Sequence, residues 1–239
     1  MIVLKIISFV YKKIKLDNNP EKIIFLILFI FSLSYLFLHS LYVLGINLPK
    51  SHFSNELYRV TRDHSYAEFF QYQTLLGSCI LILLTSLKDF KYILILPFFF
   101  TLLLDDYLRI HDVYSVVIFE SFDEVINSLA HMTGLRIKDF YELFWHLISL
   151  ILFIISLFIF FFKDEVVIIF LQKYIFAVLC LIFFAIFVDI AGVQIMQYVD
   201  KPKSFINTII YFLEEGGEMI TCSYIFSILF GLCLEKNKF

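Results

Sequence analysis

A chain of 239 residues that is 61% hydrophobic, with 31 Phe and only 4 Pro, is too apolar for a water-soluble domain, where about half apolar is usual. The formal net charge of −3 is near neutral, and no nucleic acid is expected among the partners. No P-loop, Gly-rich dinucleotide motif or GxSxG occurs, so ATP-driven work, nicotinamide chemistry and serine esterase activity lack support.

The first 20 residues begin MIVLKIISFVYKKIKL. Lys5 breaks the apolar run, the positive charges follow it, and no small-residue cleavage site appears, so this is not read as a signal peptide. It reads as a cytoplasmic amphipathic helix lying on the anionic inner leaflet. Six apolar runs follow, at about 23–46, 67–87, 91–111, 141–162, 166–195 and 205–234. A bilayer core of about 30 Å needs about 20 apolar residues at about 1.5 Å per residue. In lipid the backbone must satisfy its own hydrogen bonds, so such runs are helices. The expected fold class is therefore all-α. The chain reads as a single integral-membrane domain, a polytopic bundle of six transmembrane helices with an N-terminal interfacial helix. Loops are expected at about 47–66 and 112–140. The four cysteines all fall within the apolar spans without a CxxC pair and read as packing residues.

Lys and Arg in short loops orient such a bundle. With both termini cytoplasmic, 11 of the 19 basic residues but only 6 of the 22 acids lie inside. Every Arg and every His then lies toward the outside. The expected location is a cytoplasmic membrane of bacterial type.

Depth then sorts the polar residues. In the first span His39 lies in the outer third and reads as a hydrogen-bond donor. The second span is entered through RVTRDHSYAEFF, where Ser65 and Glu68 fit a capping box, and where Arg62 and His64 suit an anionic substrate group. The third span carries LLLDDYLRIHD. Asp105, Arg109 and Asp112 share one helical face, an arrangement that also fits an intrahelical ion-pair ladder, while Asp106 and His111 point elsewhere. Glu142 and His146 stand one turn apart in the fourth span, near a Trp145 that fits an interfacial belt. Asp189 lies near the outer end of the fifth, followed by Gln194 and Gln197. The sixth carries FLEEGGEM, in which Glu214, Glu215 and Glu218 repel one another at helical spacing. Gly216 and Gly217 admit a close neighbour. The third and sixth spans are expected to be adjacent. Ionisable groups from all six spans arrive at one level, as they do around a polar cavity at the outer bilayer face.

The pair of motifs DDxxxxHD, at Asp105–Asp112, and EExxE, at Glu214–Glu218, resembles a pattern of uncharacterised bacterial six-span membrane proteins. The resemblance covers the second, third and sixth spans and implies that architecture; it implies no activity. EExxR, HExxH, HxxxH and paired ExxH motifs are all missing, which removes the established intramembrane hydrolase and di-iron patterns.

The acids need a cation or shared protons to coexist. A divalent metal (Mg²⁺, Mn²⁺, Zn²⁺ or iron) is expected, with Asp105, Asp106, His111, Glu214, Glu215 and Glu218 as ligand candidates. Glu218, His146 and Arg109 are the catalytic candidates, and Arg62, His64 and Asp189 the substrate-binding ones. The leading expectation is a metal-dependent enzyme acting on a lipid or lipid-linked substrate, with membrane lipids as partners. The alternatives are a proton- or cation-coupled transporter and a non-catalytic assembly or sensing subunit.

Overall fold

The computed structural model describes residues 19–45, 55–60, 65–110, 114–133, 136–162, 165–198 and 205–236, and among these every regular element is helical. The amphipathic segment expected over 1–20 lies almost wholly outside the described residues.

Five helices are long and apolar enough to cross a membrane. The first is α1 (Pro20–Gly45) and the second α2 (Tyr66–Ser86). The run expected as the third is divided. A 3₁₀ turn, Phe90–Ile95, leads into α3, Leu96–Leu108, of only 13 residues. Pro97 explains the division, because its ring removes a donor and is accommodated only in the first turn of an α-helix. The segment expected as a loop over 112–140 instead forms α4 (Asp123–Thr133), and α5 (Ile137–Ser156) starts four residues earlier than expected. Asp139 fixes that start: its carboxylate accepts the Arg136 backbone N–H at 3.1 Å and the guanidinium Nε at 2.8 Å. The fifth run is also not one straight helix. It comprises α6 (Glu165–Ile182), a π-helical stretch, Phe183–Val188, and α7 (Asp189–Tyr198). Last comes α8, Phe205–Lys236, of 32 residues.

Burial ranks the helices. In the apolar windows of α8 and α2, 61% of residues are buried, against 11% in α1, which makes α8 and α2 the centre and α1 a peripheral helix. α8 packs on α2, α1, α6 and the π-helical stretch; α3 packs on α2 and α5. Small residues allow this. Gly216 receives the Leu36 side chain of α1, and a Cβ on Gly217 would overlap the Phe184 ring. The close approach expected of these glycines is thus what they serve.

Polar groups inside the helices are matched one by one. Ser78, Thr85, Thr221 and Ser223 each donate to the carbonyl four residues earlier, at 2.7–2.8 Å. Ser32 meets Ser223 at 3.3 Å and ties α1 to α8. The Tyr72 hydroxyl donates to the Asp106 carbonyl at 3.1 Å and ties α2 to α3. At the opposite end of the bundle from the helix 8 glutamates, an aromatic core gathers Phe98, Phe153, Phe170 and Tyr174. Lys173 and Glu21 close that end with an ion pair of 2.7 Å between α6 and α1.

Candidate functional site

A cavity of about 670 Å³ opens between α2, α3, α5, the π-helical stretch, α7 and α8. Each helix presents one face to it, at the spacing its geometry dictates. From α2 come Glu68, Gln71 and Leu75, and from α3 Phe98, Leu102, Asp105 and Asp106, with Arg109 just beyond. α8 contributes Glu214, Glu215, Glu218 and Cys222. Asp189 enters at the first residue of α7, immediately after the π-helical stretch. A π turn carries an extra residue and so re-aims the helical face that follows it.

α5 supplies two adjacent stripes. Lys138, Glu142, His146 and Ser149 follow one another at four, four and three residues, and Leu143, Leu147 and Leu150 run beside them. The polar stripe starts at the mouth and ends at Ser149, about 16 Å along the axis. The other walls share this gradient: on α3, Phe98 and Leu102 precede the two aspartates, and on α2 Leu75 lies one to two turns beyond Glu68 and Gln71. The outer half of the cavity is therefore acidic and the inner half apolar.

Eight carboxylates line the cavity, against Arg109, Arg136, Lys138 and the imidazole of His146. Two of the cations are engaged at the mouth, Lys138 with Glu142 at 3.1 Å and Arg136 with Asp139. Hydrogen bonding to Asp139 raises the already high pKa of Arg136, so this cation persists at any working pH. Deeper in, Glu215 and Glu218 lie within electrostatic reach of Asp106, Asp189 and Glu214. Gln71 Nε2 donates to Glu218 Oε2 at 3.4 Å. Asp105, 2% exposed, is the least solvent-exposed of the eight.

Of the sequence candidates, Glu218, His146, Arg109, Asp105, Asp106, Glu214, Glu215 and Asp189 all line this one cavity. His111, Arg62, His64 and Asp112 lie outside the described residues, as does the side chain of Gln197. Four expectations are corrected. The third and sixth spans share no extensive interface: α2 packs on both, and their acids face each other across the cavity. The continuous α-helix assumed from Asp105 to Asp112 stops at Leu108, where Arg109 takes the left-handed conformation (φ 54°, ψ 47°), so Arg109 no longer follows Asp105 at helical spacing. His39 accepts the Val60 N–H on Nδ1 at 3.3 Å and is also hydrogen-bonded to the Tyr58 backbone, but it lies outside the cavity, to which α1 contributes nothing, so not all six spans meet there. Gln194 does not line the cavity either. Ser65 does cap α2, accepting the Glu68 N–H at 3.2 Å. Residues missed from the sequence are Gln71, Arg136, Lys138 and Ser149; the Lys138–Glu142–His146 period was the available signal.

Among the described residues, no three His, Cys, Asp or Glu side chains converge on one metal position. Donors here are carboxylate oxygens on five separate helices, a set suited to a hydrated hard cation held through one or two carboxylates and water.

Arg109 is the one described non-Gly residue with positive φ, a conformation that costs about 1–2 kcal/mol in an L-residue. Arg109→Gly is accordingly expected to be more stable than Arg109→Ala by about 1 kcal/mol, read from thermal melts of the two purified variants. Equal midpoints would show that the backbone at this turn is unstrained.

An all-helical bundle with several membrane-length helices around an acidic, half-apolar cavity defines the class. No known protein family, curated protein or solved structure matches the chain.

Proposed function

We propose that the protein is a six-span membrane protein of bacterial type that acts on a lipid-type substrate with the help of a divalent cation. The 3₁₀ turn and α3 together reach about 32 Å, enough for the sixth crossing. Six crossings place both termini on one side, and the lysines at either end favour the cytoplasm. A reporter fused at the C-terminus and active only outside would overturn that orientation.

The observation that carries the functional reading is the cavity's two-sided lining. An acidic half suits a cation and a polar head group, and an apolar half of comparable depth suits the start of a hydrocarbon chain. Its volume of about 670 Å³ falls within the roughly 300–1,000 Å³ of small-molecule sites. Glu218 and Asp106 are the proposed carboxylate ligands, with water completing the shell, and their hard oxygens favour Mg²⁺ or Mn²⁺ over Zn²⁺ or iron. Such a cation polarises a phosphoryl or carbonyl oxygen. Arg109 would steady an anionic group, His146 would carry a proton, and Asp189 would hold the head group from the opposite wall.

The test is turnover. Protein reconstituted with phosphatidylethanolamine and phosphatidylglycerol is incubated with Mg²⁺ or with Mn²⁺, and the lipids are followed by mass spectrometry. Cation-dependent loss of one lipid supports the reading; unchanged lipids with no bound cation overturn it. A second reading, a cation-coupled carrier, draws on the π-helical break beside Asp189, since interrupted spans often mark transport sites. Against it stands the apolar inner half of the bundle.

A further inference from the structure

Ser149 departs from the pattern of the other buried serines and threonines of the membrane-length helices. It is 5% exposed and lines the cavity, yet its Oγ has no hydrogen-bond partner among the described residues. Ser78, Thr85, Ser86, Thr221 and Ser223 all donate to a carbonyl of their own helix. An unmade bond on a buried hydroxyl costs stability, so a bound group is the natural partner. Ser149 stands where the polar stripe of α5 ends, with Leu147 and Leu150 beside it. In an amphiphile that boundary is the linkage between head and chain.

The wall next to that boundary is incomplete. α5 and the π-helical stretch Phe183–Val188 both line the cavity, but they share no extensive packed interface. Leu147 and Phe187, one on each wall, are 50% and 63% exposed. A gap between two apolar walls at bilayer depth faces hydrocarbon, not water. The cavity is also too small for the full length of a two-chain lipid, so a chain must leave it.

We propose that this gap is a lateral portal: a membrane phospholipid places its head among the carboxylates, sets its ester linkage against Ser149 Oγ, and leaves its chain between α5 and the π-helical stretch. This rests on the reading of the cavity as a lipid site.

The test uses the full-length protein in phosphatidylethanolamine–phosphatidylglycerol nanodiscs containing a little phosphatidylethanolamine with a mid-chain diazirine. Irradiation followed by peptide mapping should give adducts around Leu147–Leu150 and Ala185–Ile186. Leu147→Trp and Ala185→Trp, on opposite walls, should each reduce those adducts at least about fivefold, the smallest loss that closing the only chain route would leave; either variant suffices if the other fails to fold. Ser149→Ala should reduce them about fivefold, the loss of one hydrogen bond. Adducts spread evenly over lipid-facing positions such as Phe37 and Ile154, and indifferent to both Trp variants, overturn the portal. The two ideas fail separately. Cation-dependent turnover with portal-independent labelling keeps the function and rejects side entry. Portal-dependent labelling without turnover under any cation keeps side entry and rejects the enzyme.

Discussion

Glu218→Gln is expected to lower divalent-cation binding at least about tenfold and to abolish lipid turnover, while membrane insertion and the helical fold persist. Gln is nearly isosteric and keeps an oxygen for the Gln71 amide that now donates to Glu218 at 3.4 Å. What it removes is one negative charge among Glu214, Glu215, Asp106 and Asp189. Removing a like charge from such a group relieves repulsion, so the variant should be as stable as the parent or more so. Loss of an outer partner alone commonly costs a metal site 10–100-fold, and a proposed direct ligand should cost no less. Isothermal titration with Mn²⁺ and the turnover assay read both effects. A variant that gains stability and loses neither binding nor turnover would make the acids a structural liability, and the assembly-subunit reading would then lead.

Gly217→Ala carries the largest expected structural effect. The new methyl would overlap the Phe184 ring, reaching atoms at its root that cannot swing aside cheaply. Overpacking of this kind typically costs about 1–3 kcal/mol. Phe184 belongs to the π-helical stretch that places Asp189 five residues later, so displacement there also perturbs the cavity from the opposite wall. Gly216→Ala is the control, since its Cβ would meet only the tip of Leu36 at 3.0 Å. Thermal midpoints in detergent should fall by several degrees for Gly217→Ala and by much less for Gly216→Ala. Equal midpoints would mean that α8 and the π-helical stretch are not held at this distance.

The architecture was legible wherever one physical requirement dominates. Long apolar runs must be helical in lipid, and the five membrane-length helices lie where those runs do. The common depth of the acids followed from counting residues along spans, and eight candidate residues do meet at one cavity. Geometry within a helix was less legible. The π-helical stretch FFAIFV contains no Gly or Pro to betray it, and the packing of its Phe184 against Gly217 is a long-range contact that no local pattern shows. Pro97 was a visible signal for the start of α3 that the hydropathy of its surroundings concealed. Neighbour relations were out of reach as well: common depth places Asp106 and Glu218 at one level, but does not show that α2 packs on both their helices. Ser149 looks like any helical serine until the absence of its back-bond is seen.

The length of α8 bears on where this chemistry can operate. Thirty-two residues extend about 48 Å, well beyond a hydrocarbon core of about 30 Å. Lys236 marks one end, and Glu218 lies 18 residues, or about 27 Å, from it. Hydrophobic thickness therefore acts as a ruler on the acids. A membrane a few ångströms thinner lifts Glu214–Glu218 among the head groups, and a thicker one draws them under hydrocarbon unless the helix tilts less. In the six-span arrangement proposed above, the acyl-chain length of the host membrane would set how wet the cavity's acidic half is, and two membranes of the same head-group chemistry would become different solvents for it.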